Sequence, residues 1–390
     1  MPNKQRRVLI LSEIISPYRI PVFNALARDG RLNLHVVFLS ETDAGLRQWR
    51  VYKDEIGFSY EVLPSARIRG RRSSLLLNWK LRSSLEKFAP EAIICGGYNY
   101  VASWEALWWA KNRDVELILW SESNQHDARS GRGVVESLKT YFLSQCDRFV
   151  VPGTAAREYL ELLGAKTRDI SIAPNAVDNE WFQARALTIR EQSSGFRAKF
   201  GLPPRFLLFT GRLVPAKGVF DLLEAYAELA SEVRAEVGLV FAGDGESKEK
   251  LVRRARTISP GTILFPGFLQ REDLAGFYAL AEALVLPTHS DPWGLVVNEA
   301  MSCGLPVIVT NLAGCAPDLV DDGWNGYVVA LETPEQLSVA ILSLANDSEL
   351  RRRMCVNSLE RIQHFSPEVC AEGLAAATLA TASEVQWMNA

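Results

Sequence analysis

Two basic side chains stand where an apolar run gives way to glycine and polar residues. Arg212 and Lys217 lie in Thr210-Gly-Arg-Leu-Val-Pro-Ala-Lys-Gly218, between a predicted strand and a predicted helix that begins at Val219. A guanidinium and an ammonium beside a helix N-terminus suit a diphosphate, because the helix amides already favour anions and the guanidinium binds phosphate in a fork. Gly211 would let a ligand approach the backbone closely. The segment predicts a diphosphate site, and a basic surface turn is the alternative.

Two carboxylates occupy a second segment, which runs from Leu286 to Val309. Asp291 lies in the loop after a predicted strand, and Glu299 follows eight positions later, inside a helix predicted to start near Gly294. The backbone amides of Gly294 and Leu295 would be donors without helical acceptors at that N-terminus. This segment therefore predicts an anion-binding helix end beside two acceptors for sugar hydroxyls. A third segment, Gly243-Asp-Gly-Glu246, predicts a tight turn rather than catalytic carboxylates.

Short apolar runs alternate with longer helical stretches in both halves of the chain. This rhythm predicts an α/β fold with two parallel sheets covered by helices, each with about five strands, and ligands at the carboxyl ends of the strands. The predicted domains are residues 1–175 and 176–366, with the polar stretch 188–195 between regular elements. A C-terminal helix within 367–390 is expected to pack back on the first domain. The predicted strands are Val8–Leu11, Leu34–Leu39, Ala92–Cys95, Leu117–Trp120, Phe149–Val151, Phe206–Thr210, Val237–Ala242, Ile263–Phe265, Ala283–Leu286 and Val307–Val309.

Charge is distributed unevenly along the 390 residues. The net charge of −3 combines 25 Lys and Arg against 19 Asp and Glu in residues 1–175 with 18 against 27 in the remainder. The negative total, without a base-stacking motif, argues against nucleic acid as a partner. Scattered cysteines without CxxC spacing argue against zinc and a disulfide framework and favour a reducing cytosol. No apolar run is long enough to span a bilayer, and the first run is too short for a signal peptide.

The basic excess of the first half is concentrated in one segment. It combines cationic residues with leucines and Trp79, which predicts either peripheral contact with anionic lipid or an anionic acceptor, or else a solvated loop and helix face. The residues concerned are Arg67, Arg69, Arg71, Arg72, Leu75, Leu76, Leu77, Trp79, Lys80, Leu81 and Arg82.

Taken together, these motifs resemble the family-four retaining glycosyltransferases, which have the two-domain GT-B architecture with a central cleft. The family's hallmark is Glu, seven residues, Glu; here it reads Asp291, seven residues, Glu299. The Gly-Arg-Leu…Lys-Gly segment and the Gly-Asp-Gly-Glu turn follow in the family's order, as do the Phe-Pro-Gly-Phe268 segment and the Pro-Asn-Ala-Val-Asp178 linker. The close resemblance covers 174–329. Asp291 is one methylene shorter than the usual Glu, and Ala176 replaces a customary Gly.

The resemblance implies a role for each site residue. Arg212 and Lys217 would hold the donor diphosphate with the amides of Gly294 and Leu295, and Glu299 would accept the ribose hydroxyls. Asp291 would contact the transferred sugar, and the backbone near Phe268 and Leu269 would meet the nucleobase. In the first half, where the family binds acceptors, either Glu122 or His126 would face the reaction. No metal and no cofactor beyond the nucleotide-sugar substrate is implied.

The sequence thus predicts a retaining, metal-independent transferase of hexosyltransferase type. It would move a sugar from a nucleotide-diphosphate donor to a hydroxyl of a glycan or lipid-linked acceptor, in a cytoplasmic polysaccharide-biosynthesis setting or at the inner face of the membrane. Two alternatives remain open. A sugar-nucleotide 2-epimerase shares the architecture, and a non-catalytic sugar-nucleotide-binding module would tolerate the shortened Asp291.

Overall fold

The computed structural model describes residues 5–43, 48–69, 74–126, 133–259, 261–331 and 333–379. Contacts within the chain divide it into two compact units. The N-terminal unit contains the described residues up to 125, then 133–176 and 367–379. The C-terminal unit contains residue 126 and the described residues of 177–366.

A seven-stranded parallel sheet forms the centre of the N-terminal unit, with the order β3-β2-β1-β6-β7-β8-β9. A separate antiparallel hairpin, β4–β5, pairs Ile68 with Leu75. The strands are β1 Arg6–Ser12, β2 Leu32–Phe38, β3 Ser59–Val62, β4 Ser65–Arg69, β5 Ser74–Asn78, β6 Ala92–Cys95, β7 Glu116–Trp120, β8 Arg148–Val151 and β9 Ile170–Ile172. The helices are α1 Arg19–Ala27, α2 Leu81–Phe88, α3 Val101–Lys111, α4 Gly133–Gln145 and α5 Thr154–Leu162.

The C-terminal unit contains a second parallel sheet of six strands, ordered β12-β11-β10-β13-β14-β15. Its strands are β10 Phe206–Thr210, β11 Gly238–Ala242, β12 Ile263–Gly267, β13 Ala283–Leu286, β14 Val307–Thr310 and β15 Gly326–Val329. Its helices are α6 Asn179–Glu191, α7 Ser193–Phe200, α8 Val219–Ala227, α9 Ser231–Glu236, α10 Lys248–Ile258, α11 Arg271–Leu280, α12 Leu295–Ser302, α13 Ala316–Leu319, α14 Pro334–Asn346 and α15 Ser348–Ile362. The strand order reverses direction between β10 and β13, so a crevice opens there at the carboxyl ends of the strands.

Both faces of the N-terminal sheet are covered, because alternate residues of each strand point to opposite sides. Val8 and Ile10 of β1 join the core under α1, and Leu9 and Leu11 join the core under the helices of the other face. The last helix, α16 Pro367–Leu379, contacts α1, β8 and β9. It therefore closes the first of these two cores, although it comes from the far end of the chain.

The predicted fold class is confirmed, with two differences in detail. The count of five strands per half was too low, since the sheets contain seven and six. The missed sheet strands β3, β9 and β15 are all edge strands, which are incompletely buried and carry only a weak apolar signal.

The polar stretch 188–195, which the sequence placed between regular elements, is itself largely helical. It contributes the end of α6 and the start of α7. Buried Ala186, Ile189 and Phe196 anchor these helices, and Phe196 packs edge-on against Phe277. Tertiary burial on one helix face therefore outweighed local polarity.

The predicted C-terminal helix corresponds to α16, and residues 380–390 lie outside the described residues. Among the described helices, none combines the length and the hydropathy that crossing a bilayer requires.

Candidate functional site

The loop that follows β10 carries two cationic side chains, Arg212 and Lys217. The backbone amide of Gly211 donates to the Ala242 carbonyl, so the loop begins as a continuation of the sheet. The Arg212 side chain is exposed, and its guanidinium makes no hydrogen bond or ion pair within the described part of the chain. Lys217 ends a single helical turn that runs from Pro215, and α8 starts two residues later. Both predicted phosphate-binding cations therefore lie at the strand-to-helix junction.

Lys217 is connected to the loop that follows β13. Its ammonium donates to Asp291 Oδ2 at 2.5 Å and to the Ser290 carbonyl at 3.0 Å. The exposed fractions of the two charged side chains are only 15% and 19%. Ion pairs are stronger in such partly buried positions than at a fully exposed surface. The structure therefore brings together two of the predicted site residues, which lie in separate motifs of the sequence.

Backbone contacts hold these two loops against each other. The amide of His289 donates to the Ala216 carbonyl at 3.0 Å, and the Thr288 hydroxyl donates to the same oxygen at 3.1 Å. Gly218 has a φ of +66°, and a Cβ built on it would lie 1.7 Å from the Pro287 carbonyl oxygen. A side chain is excluded there by both conformation and space. The loops thus meet at the β10–β13 crevice, where the sheet reverses its order.

A neighbouring glycine turn supports the phosphate loop from its other side. A Cβ on Gly243 would lie 1.9 Å from the Gly211 carbonyl oxygen, and the Leu213 amide donates to the Asp244 carbonyl. Asp244 also accepts from the Gly245 amide at 2.9 Å. Asp244 therefore acts as a turn residue, as the sequence predicted.

Helix α12 begins immediately after Gly294, and its N-terminus is fixed by Asp291. The Trp293 amide donates to Asp291 Oδ1 at 3.3 Å, and the Asp291 carbonyl accepts from the Gly314 amide at 3.0 Å. The amides of Gly294 and Leu295 then stand at the start of an eight-residue helix, where the helix itself provides no acceptor. Asp291 therefore connects the ammonium of Lys217 to this helix end.

Glu299 lies in the middle of α12 and is half-buried. Burial raises the pKa of its carboxyl to about 7, while the hydroxyl of Tyr278, which donates at 2.7 Å, opposes that rise. Tyr278 lies on α11, and its own pKa is held well above the usual value by burial and by the adjacent carboxylate. Glu299 is therefore poised between its neutral and charged forms near neutral pH and is already hydrogen-bonded on one oxygen.

Phe268 and Leu269 follow β12 at the same edge of the sheet. Phe268 is exposed and Leu269 is half-buried. The Gly243 amide donates to the Gly267 carbonyl at 2.8 Å, which places this segment beside the glycine turn. The predicted base-contacting segment thus borders the phosphate loop through one intervening turn.

The two N-terminal candidates are placed separately. Glu122 follows β7 and pairs with Arg19, whose guanidinium lies 3.9 Å from the centre of the Trp120 ring. His126 is exposed, and it is grouped with the C-terminal unit. Residues 127–132, which follow it, lie outside the described part. The choice between Glu122 and His126 stays a prediction.

Sequence reasoning missed two side chains beside the predicted site. Tyr278 lies 21 positions from Glu299, on a different helix, so no spacing pattern relates them. His289 contacts the Asp221 carboxylate through Nε2 and lies next to Ser290. Its position inside the motif, directly before residues that bind Lys217, was the available signal.

A depression of about 320 Å³ lies elsewhere, lined by residues of β15 and α14 such as Tyr327 and Val339. Its surface is mostly apolar, and its charged lining residues, Asp322 and Glu335, are both acidic, so it does not suit an anionic ligand. Within the described residues, no cluster of three or more His, Cys, Asp or Glu side chains has the geometry of a metal site. The chemistry of this unit is therefore concentrated at the β10–β13 crevice.

The sequence comparisons described here each match only part of the chain. Residues 193–361 match the family described as Glycosyl transferases group 1. A D-inositol 3-phosphate glycosyltransferase of Segniliparus rotundus is 29% identical over 60% of this chain and 52% of its own length. The O-antigen chain mannosyltransferase B of Escherichia coli is 31% identical over 42% of this chain and 43% of its own length. The chain thus spans about half the length of the curated relatives it matches.

The fold likeness extends further than the sequence likeness. The crystal structure of Anabaena HepE in complex with UDP has a TM-score of 0.73, covering 95% of this chain and 99% of HepE at 17% identity. Identity that low supports the fold alone. With the two parallel sheets, it confirms the predicted GT-B class.

Proposed function

We propose that the chain is a retaining glycosyltransferase, because its residues 193–361 match the family described as Glycosyl transferases group 1. It moves a sugar from a nucleotide-diphosphate donor to a hydroxyl of a glycan or lipid-linked acceptor. The observation that carries this proposal is the convergence at the β10–β13 crevice of Lys217, the Asp291 carboxylate and the N-terminus of α12. Cations and helix amides at a strand-order reversal suit a nucleotide diphosphate.

Each donor group has a matching partner in the C-terminal unit. The diphosphate contacts Arg212, Lys217 and the amides of Gly294 and Leu295, and Gly211 leaves it room beside the backbone. The ribose hydroxyls donate to Glu299, and a hydroxyl of the transferred sugar donates to Asp291. The nucleobase lies against the backbone of Phe268 and Leu269. The UDP complex of HepE supports a nucleotide-sugar donor of this kind.

The reaction proceeds with retention. The bond between the sugar C1 and the β-phosphate oxygen breaks through an oxocarbenium-like state, and its electron pair passes to the leaving phosphate. The acceptor oxygen bonds to C1 on the same face, and the acceptor proton passes to the phosphate oxygen that has just left. Arg212, Lys217 and the α12 amides stabilise the charge that develops on the diphosphate. These cations do the work that a divalent ion does elsewhere, so the transferase is metal-independent.

The acceptor belongs to the N-terminal unit. Glu122 or His126 orients the reacting hydroxyl, and Tyr18, Arg19 and the aromatic segment 98–109 line the approach. Trp109 is buried in the core, whereas Trp108 is exposed, which leaves aromatic surface for the apolar part of a lipid-linked acceptor. The E. coli O-antigen chain mannosyltransferase among the relatives supports a role in polysaccharide biosynthesis.

A peripheral membrane contact is part of the proposal. Leu76 and Leu81 belong to the core, but Ile68, Leu75 and Trp79 are exposed around the β4–β5 hairpin, with Lys80 and Arg82 nearby. Arg67 does not contribute, because it is ion-paired with Glu13 and Asp43. Arg71 and Arg72 lie outside the described residues, as does the side chain of Arg69. The contact places the enzyme at the cytoplasmic face of a membrane.

A donor screen tests the proposal. The protein is incubated with UDP-, GDP-, ADP- and dTDP-sugars, with and without EDTA, and products are followed by NMR. Slow release of a nucleoside diphosphate with retained anomeric configuration, unaffected by EDTA, is expected. Formation of a 2-epimer would instead identify the epimerase, and tight binding without turnover would identify a non-catalytic module. The absence of both binding and turnover with every donor would overturn the proposal.

A further inference from the structure

The ammonium of Lys217 has three N–H donors, and the described part of the chain uses two of them. One donates to Asp291 Oδ2 at 2.5 Å and one to the Ser290 carbonyl at 3.0 Å. Both acceptors belong to the loop after β13, so the ammonium cannot rotate freely. One N–H remains for a ligand.

The same contact reduces the positive charge that a ligand meets. Asp291 places a carboxylate directly against the ammonium, and neither side chain is more than one-fifth exposed. A diphosphate that approaches Lys217 is therefore attracted by the cation and repelled by its partner. Arg212, whose guanidinium has no such partner among the described residues, does not share this restraint.

Asp291 also fixes the second anion-binding group of the crevice. Its Oδ1 accepts from the Trp293 amide at 3.3 Å, immediately before the start of α12. One side chain thus sets the direction of the ammonium and the position of the helix end. Because the Asp291 carboxylate contacts both the Lys217 ammonium and the start of α12, its charge and position affect any anion that these two groups bind.

We infer that Asp291 is a positioning residue that acts on the donor diphosphate through Lys217, directing one N–H to a phosphate oxygen and weakening the hold on the free nucleoside diphosphate. This inference rests on the proposed function and deepens it. The weakened hold favours release of the nucleoside diphosphate after transfer. It also gives the short Asp a role besides any contact with the sugar.

The test measures binding of nucleoside diphosphates by titration calorimetry. UDP, GDP, ADP, dTDP and inorganic pyrophosphate are titrated into the full-length wild type, and the tightest nucleotide is carried forward. In Asp291→Asn, that nucleotide is expected to bind about tenfold more tightly, since the opposing charge is removed while the shape is kept. Asp291→Glu, which restores the charge, is expected to stay within about threefold of the wild type. Asp291→Ser provides a second neutral variant if the Asn variant does not fold.

Two controls separate this contact from general electrostatics. Asp221→Asn removes an equal charge at the start of α8, but Asp221 contacts His289 instead of Lys217. Its effect is expected to be about twofold or less, because exposed charges are screened. In a Lys217→Ala background, Asp291→Asn is expected to tighten binding clearly less than in the wild type, because only the direct repulsion by the carboxylate is then removed. Kinetically, Asp291→Asn is expected to lower kcat while the donor KM stays equal or falls, whereas a merely structural defect would raise KM.

The outcomes distinguish the two proposals. If the wild type binds none of the probes, both the proposed function and this inference fail. If the wild type binds a nucleotide but Asp291→Asn binds it equally or less tightly, only this inference fails. It also fails if the tightening is undiminished without Lys217, or if Asp221→Asn tightens binding equally.

Discussion

In the C-terminal unit the loops after β10, β11 and β13 contact one another through backbone atoms as well as through the Lys217–Asp291 ion pair. In the N-terminal unit the start of α1 and the loop after β7 are joined by a side-chain ion pair. Gly218 and Gly243 each abut a carbonyl oxygen of a neighbouring loop. Arg19 and Glu122, by contrast, form an ion pair across 103 positions of sequence. Backbone contact of this kind requires glycine and therefore leaves a readable motif. An ion pair between distant loops leaves none.

The two units also differ in how firmly their loops are held in position. Loops held by backbone contacts keep cations and amides in fixed positions, as binding a charged diphosphate requires. Loops held by side-chain pairs can change partners when a sequence changes, which would suit the acceptor side of the proposed transferase. We therefore expect substitutions in the loops of the C-terminal unit that carry the candidate donor site to abolish activity. Substitutions in the acceptor-side loops should only modulate it.

The largest effect is expected from Lys217→Ala. Removing one preorganised donor to the leaving diphosphate should reduce kcat by about 100- to 1,000-fold, or about 3–4 kcal/mol in the barrier. Turnover is measured with the donor found in the screen. Lys199→Ala, which removes an exposed lysine paired with Asp273 in the same unit, is the matched control. Near-wild-type turnover in Lys217→Ala would contradict the expectation that substitutions in the donor-site loops abolish activity.

The next effect is expected from Gly218→Ala. The new Cβ would collide with the Pro287 carbonyl, so the two loops must separate, at a cost of about 3 kcal/mol in the free energy of unfolding. Gly201→Ala is the matched control, because Gly201 has a similar φ of +62° but nothing within 4 Å of a Cβ. It should lose only about 1 kcal/mol. Urea unfolding measures both, and equal losses would show that the close approach of the loops has no energetic weight.

A smaller effect is expected from the titration of Glu299. Its pKa of about 7 in the folded protein lies above the unfolded value near 4.5, so the folded state binds more protons between these values. Stability should therefore be greatest below about pH 4.5, as far as this group is concerned, and fall by about 3 kcal/mol as the pH rises to 8.

Urea unfolding between pH 5 and 8 measures this slope. Glu299→Gln should flatten it, because the amide does not titrate. Glu249→Gln removes a highly exposed carboxylate and should leave the slope unchanged. A wild-type slope equal to that of Glu299→Gln would contradict the burial of this carboxyl.

The smallest effects are expected in the N-terminal unit. Glu122→Gln weakens the charge contact with Arg19 and should raise the acceptor KM by about fivefold, equivalent to about 1 kcal/mol, with the donor KM unchanged. His126→Ala, assayed in parallel, identifies the acceptor-side residue if its effect is larger. A change in the donor KM in either variant would contradict the assignment of these residues to the acceptor side alone.

The sequence predicted where most candidate residues of the C-terminal unit lie in the fold, because their positions follow from local order. Strand, glycine turn and helix N-terminus succeed one another within a few residues, so Arg212, Lys217 and Gly294 could be placed without coordinates. The approach of Lys217 to Asp291 could not be predicted, since 74 positions separate them and only the adjacency of β10 and β13 brings them together. For the same reason, the Tyr278 contact with Glu299 and the ion pairs of the N-terminal unit were invisible in the sequence.

The carbonyl of Gly211 leaves so little room beside Gly243 that neither segment can change its path alone. The phosphate loop could therefore be transplanted into another scaffold, or randomised in a library, only together with the glycine turn at Gly243. The two short stretches behave as one structural unit, although 31 residues of chain lie between Gly211 and Gly243 in the sequence.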